Sequence, residues 1–180
     1  DMTTPITGNI DGEIRILGKN NQVTDAVGAV EGRQIGIHGV VVDTVKANFT
    51  HADNRTNITV VGTMGDGTLS GYGYIQNGNV DATISGNALP LTALSPIIGQ
   101  DVDGTLNTSF AIKGIVDNPN VTGTVWGQEV HYKGARFNNI HGDIKLDNHI
   151  LTITNGHIGD GDGGYDVNGW YNLDTDALDL

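Results

Sequence analysis

Between Asn138 and Leu173 apolar and polar residues trade places at nearly every step. Ile144 and Leu146 alternate with Asp143, Lys145 and Asp147, and Leu151 and Ile153 alternate with Thr152 and Thr154. Tyr165, Val167 and Tyr171 share one parity, with Asp166, Asn168 and Trp170 on the other. Successive side chains of an extended chain project to opposite sides, so this pattern predicts strands with one dry face and one wet face. Asp147-Asn148 and the run from Gly159 to Gly164 separate three such segments. Gly and Asx residues accept the positive φ of tight hairpins, so these are the expected turns.

The same alternation runs through most of the chain. Ile10, Ile14 and Ile16 open it, and Val23 to Val30 reads as a weak strand. Glu31-Gly32-Arg33 reads as a turn before Ile35 and Ile37, and Val40 to Val42 as a further strand leading to Ala47 and Phe49. Asp53-Asn54 turns the chain into Ile58 and Val60, Gly65-Asp66-Gly67 turns it into Leu69 to Ile75, and Asn77-Gly78 turns it into Val80, Ala82 and Ile84. Further on, Leu106, Thr108, Phe110 and Ile112 alternate, Asp117-Asn118-Pro119-Asn120 reads as a turn, and Val130 and Tyr132 share a face. One stretch breaks the pattern. Leu91, Leu94 and Ile98 have the spacing of a short helix, with Pro90 at its start and Pro96 and Gly99 at its end. A helix this short needs packing to persist, and it is expected to cap the open side of the sheet.

The two halves resemble each other. Ile10-Asp11-Gly12 matches Val102-Asp103-Gly104, Gly28 to Gly32 matches Gly123 to Gly127, and Gly65-Asp66-Gly67 matches Gly159-Asp160-Gly161. The predicted organisation is a first repeat over 1–86, a short helical linker over 87–101 and a second repeat over 102–180, forming one continuous domain. A repeated unit with a dry face that it cannot close alone buries that face against its neighbours. The chain starts at Asp1 and stops within another alternating run, so it reads as a piece of a longer protein.

Composition narrows the functional classes. A net charge of −12 disfavours nucleic acid and anionic membrane surfaces as partners. The absence of cysteine removes disulfides and thiolate metal sites. No apolar run is long enough to span a bilayer as a helix, and no signal peptide is evident. An apolar content of 37% is low for a closed globule but suits sheets that bury one face.

The segments Val102-Asp-Gly-Thr-Leu106, Gly114-Ile-Val-Asp-Asn-Pro119, Val130-His-Tyr-Lys-Gly134, Gly142-Asp-Ile-Lys-Leu146, Leu151-Thr-Ile-Thr154 and Val167-Asn-Gly-Trp-Tyr171 together resemble the repeat of the TamB family. This is the translocation and assembly module of diderm bacteria, related to the AsmA-like proteins. Leu89 to Gly104 is similar to the linker between its repeats, whereas Gln22 to Asp25 lacks the proline matching Pro119. The resemblance implies an all-β fold, a sheet curled into a U-shaped groove or β-taco with an apolar interior. It also implies a periplasmic segment of an inner-membrane-anchored protein. Its partners would be phospholipid acyl chains, an outer-membrane barrel protein and adjacent repeats, and its role phospholipid transport and outer-membrane biogenesis.

The candidate lining residues come from the clean alternations: Ile14, Ile16, Ile35, Ile37, Ile58, Val60, Val80, Ala82, Ile84, Leu106, Phe110, Ile112, Ile144, Leu146, Leu151, Ile153, Val167 and Tyr171. The competing expectation is that they pack on one another in a closed sandwich, barrel or β-helix, as in a structural or adhesive secreted module. Asp160, Asp162 and Asp166 could supply oxygen ligands to calcium, but the twelfth position counted from Asp160 is Tyr171, and a hairpin turn is the simpler reading. His141, His149 and His157 recur at equal spacing, which could bring them together on neighbouring strands; zinc would need them to converge, and exposed strand-end histidines are the simpler reading. No nucleophile–base pair, phosphate loop or facing carboxylate pair stands out, so neither a catalytic role nor a cofactor is expected.

Overall fold

The computed structural model describes residues 7–19, 22–37, 39–98, 102–160, 163–175 and 177–179. Twelve strands form one antiparallel sheet in chain order: β1 (Thr7–Lys19), β2 (Gln22–Ile37), β3 (Val40–Ala52), β4 (Arg55–Met64), β5 (Gly67–Gln76), β6 (Asn79–Pro90), β7 (Val102–Ile115), β8 (Asn118–Tyr132), β9 (Ala135–Asp147), β10 (Ile150–Asp160), β11 (Gly163–Asn172) and β12 (Leu178–Asp179). The sheet is curled but not closed, with β1 and β12 as its edges. The filled sandwich, barrel or β-helix expected as the alternative does not form.

Four hairpins turn on two consecutive positive-φ residues: Asp53-Asn54, Asn77-Gly78, Lys133-Gly134 and Asn148-His149. That twist matches the right-handed twist of the flanking strands, so each strand folds straight back on its predecessor. Two expected turns shift. Asp147 ends β9 opposite Ile150, which moves the turn to Asn148-His149. Pro119 and Asn120 belong to β8, where Pro119 faces Gly114, and the turn falls on Val116-Asp117. Proline is tolerated here because it sits at the start of its strand.

Glu31-Gly32-Arg33 is not a turn; β2 runs through it. The signal misread there is a recurrent bulge. Gln34 (φ 52°), Ala88 (φ 50°) and Glu129 (φ 54°) each hold a left-handed conformation inside a strand. Each follows a glycine by two residues and precedes an aliphatic residue, in Gly32-Arg33-Gln34-Ile35, Gly86-Asn87-Ala88-Leu89 and Gly127-Gln128-Glu129-Val130. The bulge reverses the parity, so the aliphatic side chain folds back over its glycine. A Cβ on Gly32 would lie 2.8 Å from Ile35 Cγ1, one on Gly86 2.5 Å from Leu89 Cδ1, and one on Gly127 3.1 Å from Val130 Cγ2. Asn155 (φ 51°) makes a fourth bulge in β10.

These bulges define the repeat. Gly8 (φ 122°) in β1 and Gly104 (φ 120°) in β7 stand beside register shifts facing Gln34 and Glu129 respectively. Gly28 to Gly32 therefore aligns with Gly123 to Gly127 as expected, but Gly8 rather than Gly12 is the structural partner of Gly104.

The expected helix is shorter than its sequence window. Asn87 to Pro90 complete β6, a 3₁₀ turn covers Leu91–Leu94, and the α-helical turn α1 (Ser95–Ile98) contains Pro96 rather than ending before it. This segment packs on β3 and on β7. A Cβ on Gly65 would sit 3.0 Å from Pro90 Cγ, and one on Gly39 2.8 Å from Pro96 Cβ, so the connection crosses the β4–β5 and β2–β3 turns. The best-buried apolar side chains gather at this end: Met64, Leu89, Leu91 and Val130. The side chains of Leu94 and Ile98 lie outside the described set.

At the other end the hairpin tips are tied to one another. The Asn54 side-chain amide donates to Asn77 Oδ1, Val116 N donates to Gly78 O at 2.9 Å, Asn118 Nδ2 to Asn148 Oδ1 at 3.0 Å, and Leu173 N to His149 O at 2.9 Å.

Candidate functional site: an open apolar face

Directly opposed residues in an antiparallel pair project to the same side, so the register assigns the faces of this sheet. One row runs unbroken from β1 to β11: Ile14, Gly28, Phe49, Ile58, Gly73, Ala82, Ile112, Val121, Leu146, Leu151 and Tyr171. Beside it runs a second: Gly12, Val30, Ala47, Val60, Gly71, Ile84, Phe110, Gly123, Ile144, Ile153 and Gly169. Ile16, Val80, Leu106 and Val167 lie on the same face by strand parity, and the bulge at Gln34 brings Ile35 to it. Ile37 pairs with Val40, and its side chain lies outside the described set. Between the bulges and the far turns, the described residues of this face are aliphatic, aromatic, Gly, Pro or Thr, apart from His51.

Among the described residues no second layer of structure covers the middle of the face, yet its side chains are half-buried while those opposite are mostly exposed. In β3, Val45, Ala47, Phe49 and His51 are intermediate and Thr44, Lys46, Asn48 and Thr50 exposed. With no described layer packed on its middle, the greater burial on this side of a curled sheet marks the apolar face as the concave one. At about 4.8 Å per strand, ten strand-to-strand steps carry it on the order of 50 Å. Edge strand β1 is the most open part, with Ile14 and Ile16 57% and 60% exposed.

Glycine shapes the floor. The ring of Phe49 occupies the space a Cβ on Gly28 would need, and Phe110 Cδ1 lies 2.5 Å from where a Cβ on Gly123 would be. Each ring thus reaches over the glycine of the neighbouring strand. Over β5 no such ring covers Gly71 and Gly73, and a cavity of about 290 Å³ opens between Ile58, Val60, Leu69, Ile75, Val80 and Ile84.

The convex face carries the charges. Lys46 Nζ approaches Glu31 at 2.6 Å, Lys145 approaches Asp147 at 2.9 Å, and Lys113 approaches Asp81 at 3.9 Å. The hydrogen bond from Lys46, with its charge, holds the Glu31 carboxyl below its ordinary range, and Arg33 adds to the effect. Trp126, His141, His157 and Asp166 form a cross-strand row on this side. The His141 and His157 rings lie 5.4 Å apart, and His157 Nδ1 pairs with Asp166 Oδ1 at 2.9 Å. His149 sits apart in the far turn, against Asp174. Asp160 and Asp166 fall on opposite faces by register, and Asp162 lies outside the described residues. Among the described residues no group of three or more His, Asp or Glu is placed to hold a metal ion.

Phe49, Val30, Ala47, Leu69, Ile75 and Val121 also belong to the concave face but were not among the expected lining residues. Continuing the parity of Ile58 and Ile112 across the adjacent strands would have found them. Comparison with protein-family models, with curated proteins and with solved structures finds no match to this chain.

Proposed function

We propose that this chain is a lipid-conduit segment of a TamB-like protein of the periplasm, whose concave face carries phospholipid acyl chains toward the outer membrane. The observation that supports this reading is the pair of uncharged rows running without interruption from β1 to β11 on an uncovered face. An acyl chain in water costs about 0.8 kcal/mol per methylene, so a long chain costs on the order of 10 kcal/mol, which apolar contact along the rows removes. Hydrophobic contact has no directional requirement, so a chain can slide from one strand to the next without a deep trap, its headgroup staying in water at the mouth. A strip longer than any single acyl chain suits passage better than storage. The outer-membrane barrel partner and the flanking repeats remain part of this proposal on the strength of the sequence resemblance alone.

The test places a photo-crosslinking residue at Leu146 or Ile153 on the concave face, and at Lys145 or Thr152 on the convex face, in the parent protein in cells. Phospholipid adducts are expected from the first pair and not from the second. Equal capture from both faces would sink the proposal.

A further inference from the structure

Resting on that reading, we infer that the strip is not uniform: the hollow over β5 is a seat for one acyl chain of a lipid with a zwitterionic headgroup. Gly71 and Gly73 project no side chain into the groove at the middle of β5, and the paired positions on β6 and β4 are Ala82 and Ile84 on one side and Ile58 and Val60 on the other. The wall toward β6 is therefore low at Ala82. Elsewhere in the rows the ring of Phe49 covers Gly28 and that of Phe110 covers Gly123; over β5 no ring reaches Gly71 or Gly73, and the hollow opens there.

The size selects the occupant. A methylene displaces about the volume of a liquid water, roughly 30 Å³, so the 290 Å³ hollow holds on the order of ten methylenes. That is most of one acyl chain. Charge selects the headgroup. The lining contains no Lys or Arg, and the chain carries a net −12, so its field repels an anionic headgroup more than a zwitterionic one.

The experiment measures binding of a lysophosphatidylcholine series with acyl chains of increasing length, each below its micellar concentration. Affinity is expected to rise about fourfold per methylene and to level off near ten methylenes. Ala82→Phe extends a ring into the hollow from its low wall and is expected to weaken the longer homologues at least about tenfold. Should that variant fail to fold by circular dichroism, Gly71→Leu fills the same space; a Cβ there would meet Thr83 O at 3.2 Å and Ile84 Cγ1 at 3.4 Å, less crowded than at Gly73, where it would meet Ala82 Cβ at 2.4 Å. Affinity that climbs evenly to the longest chain and is indifferent to both variants overturns the seat and leaves the conduit reading intact. No binding of any homologue overturns both.

Discussion

Gly86→Ala is a one-methyl test of how the concave face is made. The new Cβ would lie 2.5 Å from Leu89 Cδ1 and 2.9 Å from Thr108 Oγ1. Leu89 and Thr108 are each 8% exposed, and Leu89 is locked in place by the left-handed Ala88 that folds it back, so neither can swing into free space. Overpacking of this kind costs about 1–3 kcal/mol. Removing Leu89 instead, by Leu89→Ala, empties the same spot and costs about 2–5 kcal/mol. In the double variant the alanine methyl at 86 occupies space that Leu89 has vacated, so the two losses overlap and a coupling of at least about 1 kcal/mol is expected. Urea denaturation at constant m-value reads all four proteins of the cycle. A Gly86→Ala loss below about 0.5 kcal/mol, or strictly additive losses, would refute the account of these glycines as sites covered by the residue beyond the bulge.

Leu151→Arg places a charge in the row between Leu146 and Tyr171, and is expected to abolish lipid adducts from Ile153 while circular dichroism still reports a sheet; undiminished adducts would count against transport along the rows. Chelation of calcium is expected to leave the thermal midpoint unchanged, because Asp160 and Asp166 face opposite ways, and a drop of several degrees would show that the β10–β11 turn holds an ion after all. The depressed Glu31 carboxyl contributes stability that is present above the ordinary glutamate range, near pH 4.3, and is lost as pH falls through its lower folded value. Glu31→Gln should therefore flatten the loss of stability below about pH 4.3 and leave the slope above it unchanged, as read by midpoint against pH. The effect is small because the pair is solvent-exposed, and an unchanged acid limb would remove Lys46 as its cause.

Alternation made most strands legible because a sheet with one wet face repeats its chemistry every second residue. Ile58 and Val60, or Leu151 and Ile153, announce their face without any knowledge of their neighbours. Three things were hidden, each for a physical reason. The bulges at Gln34, Ala88 and Glu129 carry no residue type that demands positive φ, so nothing local marks them; only the recurring glycine two residues earlier does, and that was read at Gly32 as a turn. Strand pairing, which turns separate positions into rows, depends on turn lengths such as Val116-Asp117, where Pro119 drew the expected turn too far along the chain. The hollow over β5 is a difference in what lies above one glycine and another, and no pattern within β5 reports what its neighbours β4 and β6 send across.

A face this apolar would be an aggregation hazard if it were flat, and a closed core if it were filled. The chain avoids both by putting its binding interactions at the two rims. At one end the segment from Pro90 to Ile98 crosses from β6 toward β3 and buries Met64, Leu89, Leu91 and Val130 beneath the bulges. At the other, Asn54, Asn77, Asn118 and Asn148 tie hairpin tip to hairpin tip. The contacts that join neighbouring hairpins thus lie at the two rims, and the middle of each strand is left open. Glycine has the same effect from within, since Gly71, Gly73 and Gly123 let the strands bend without crowding the concave side. An open groove of this kind draws its best-buried contacts from its rims rather than from the middle of its strands, which is why a charge at Leu151 can be expected to disable the face without unfolding the sheet.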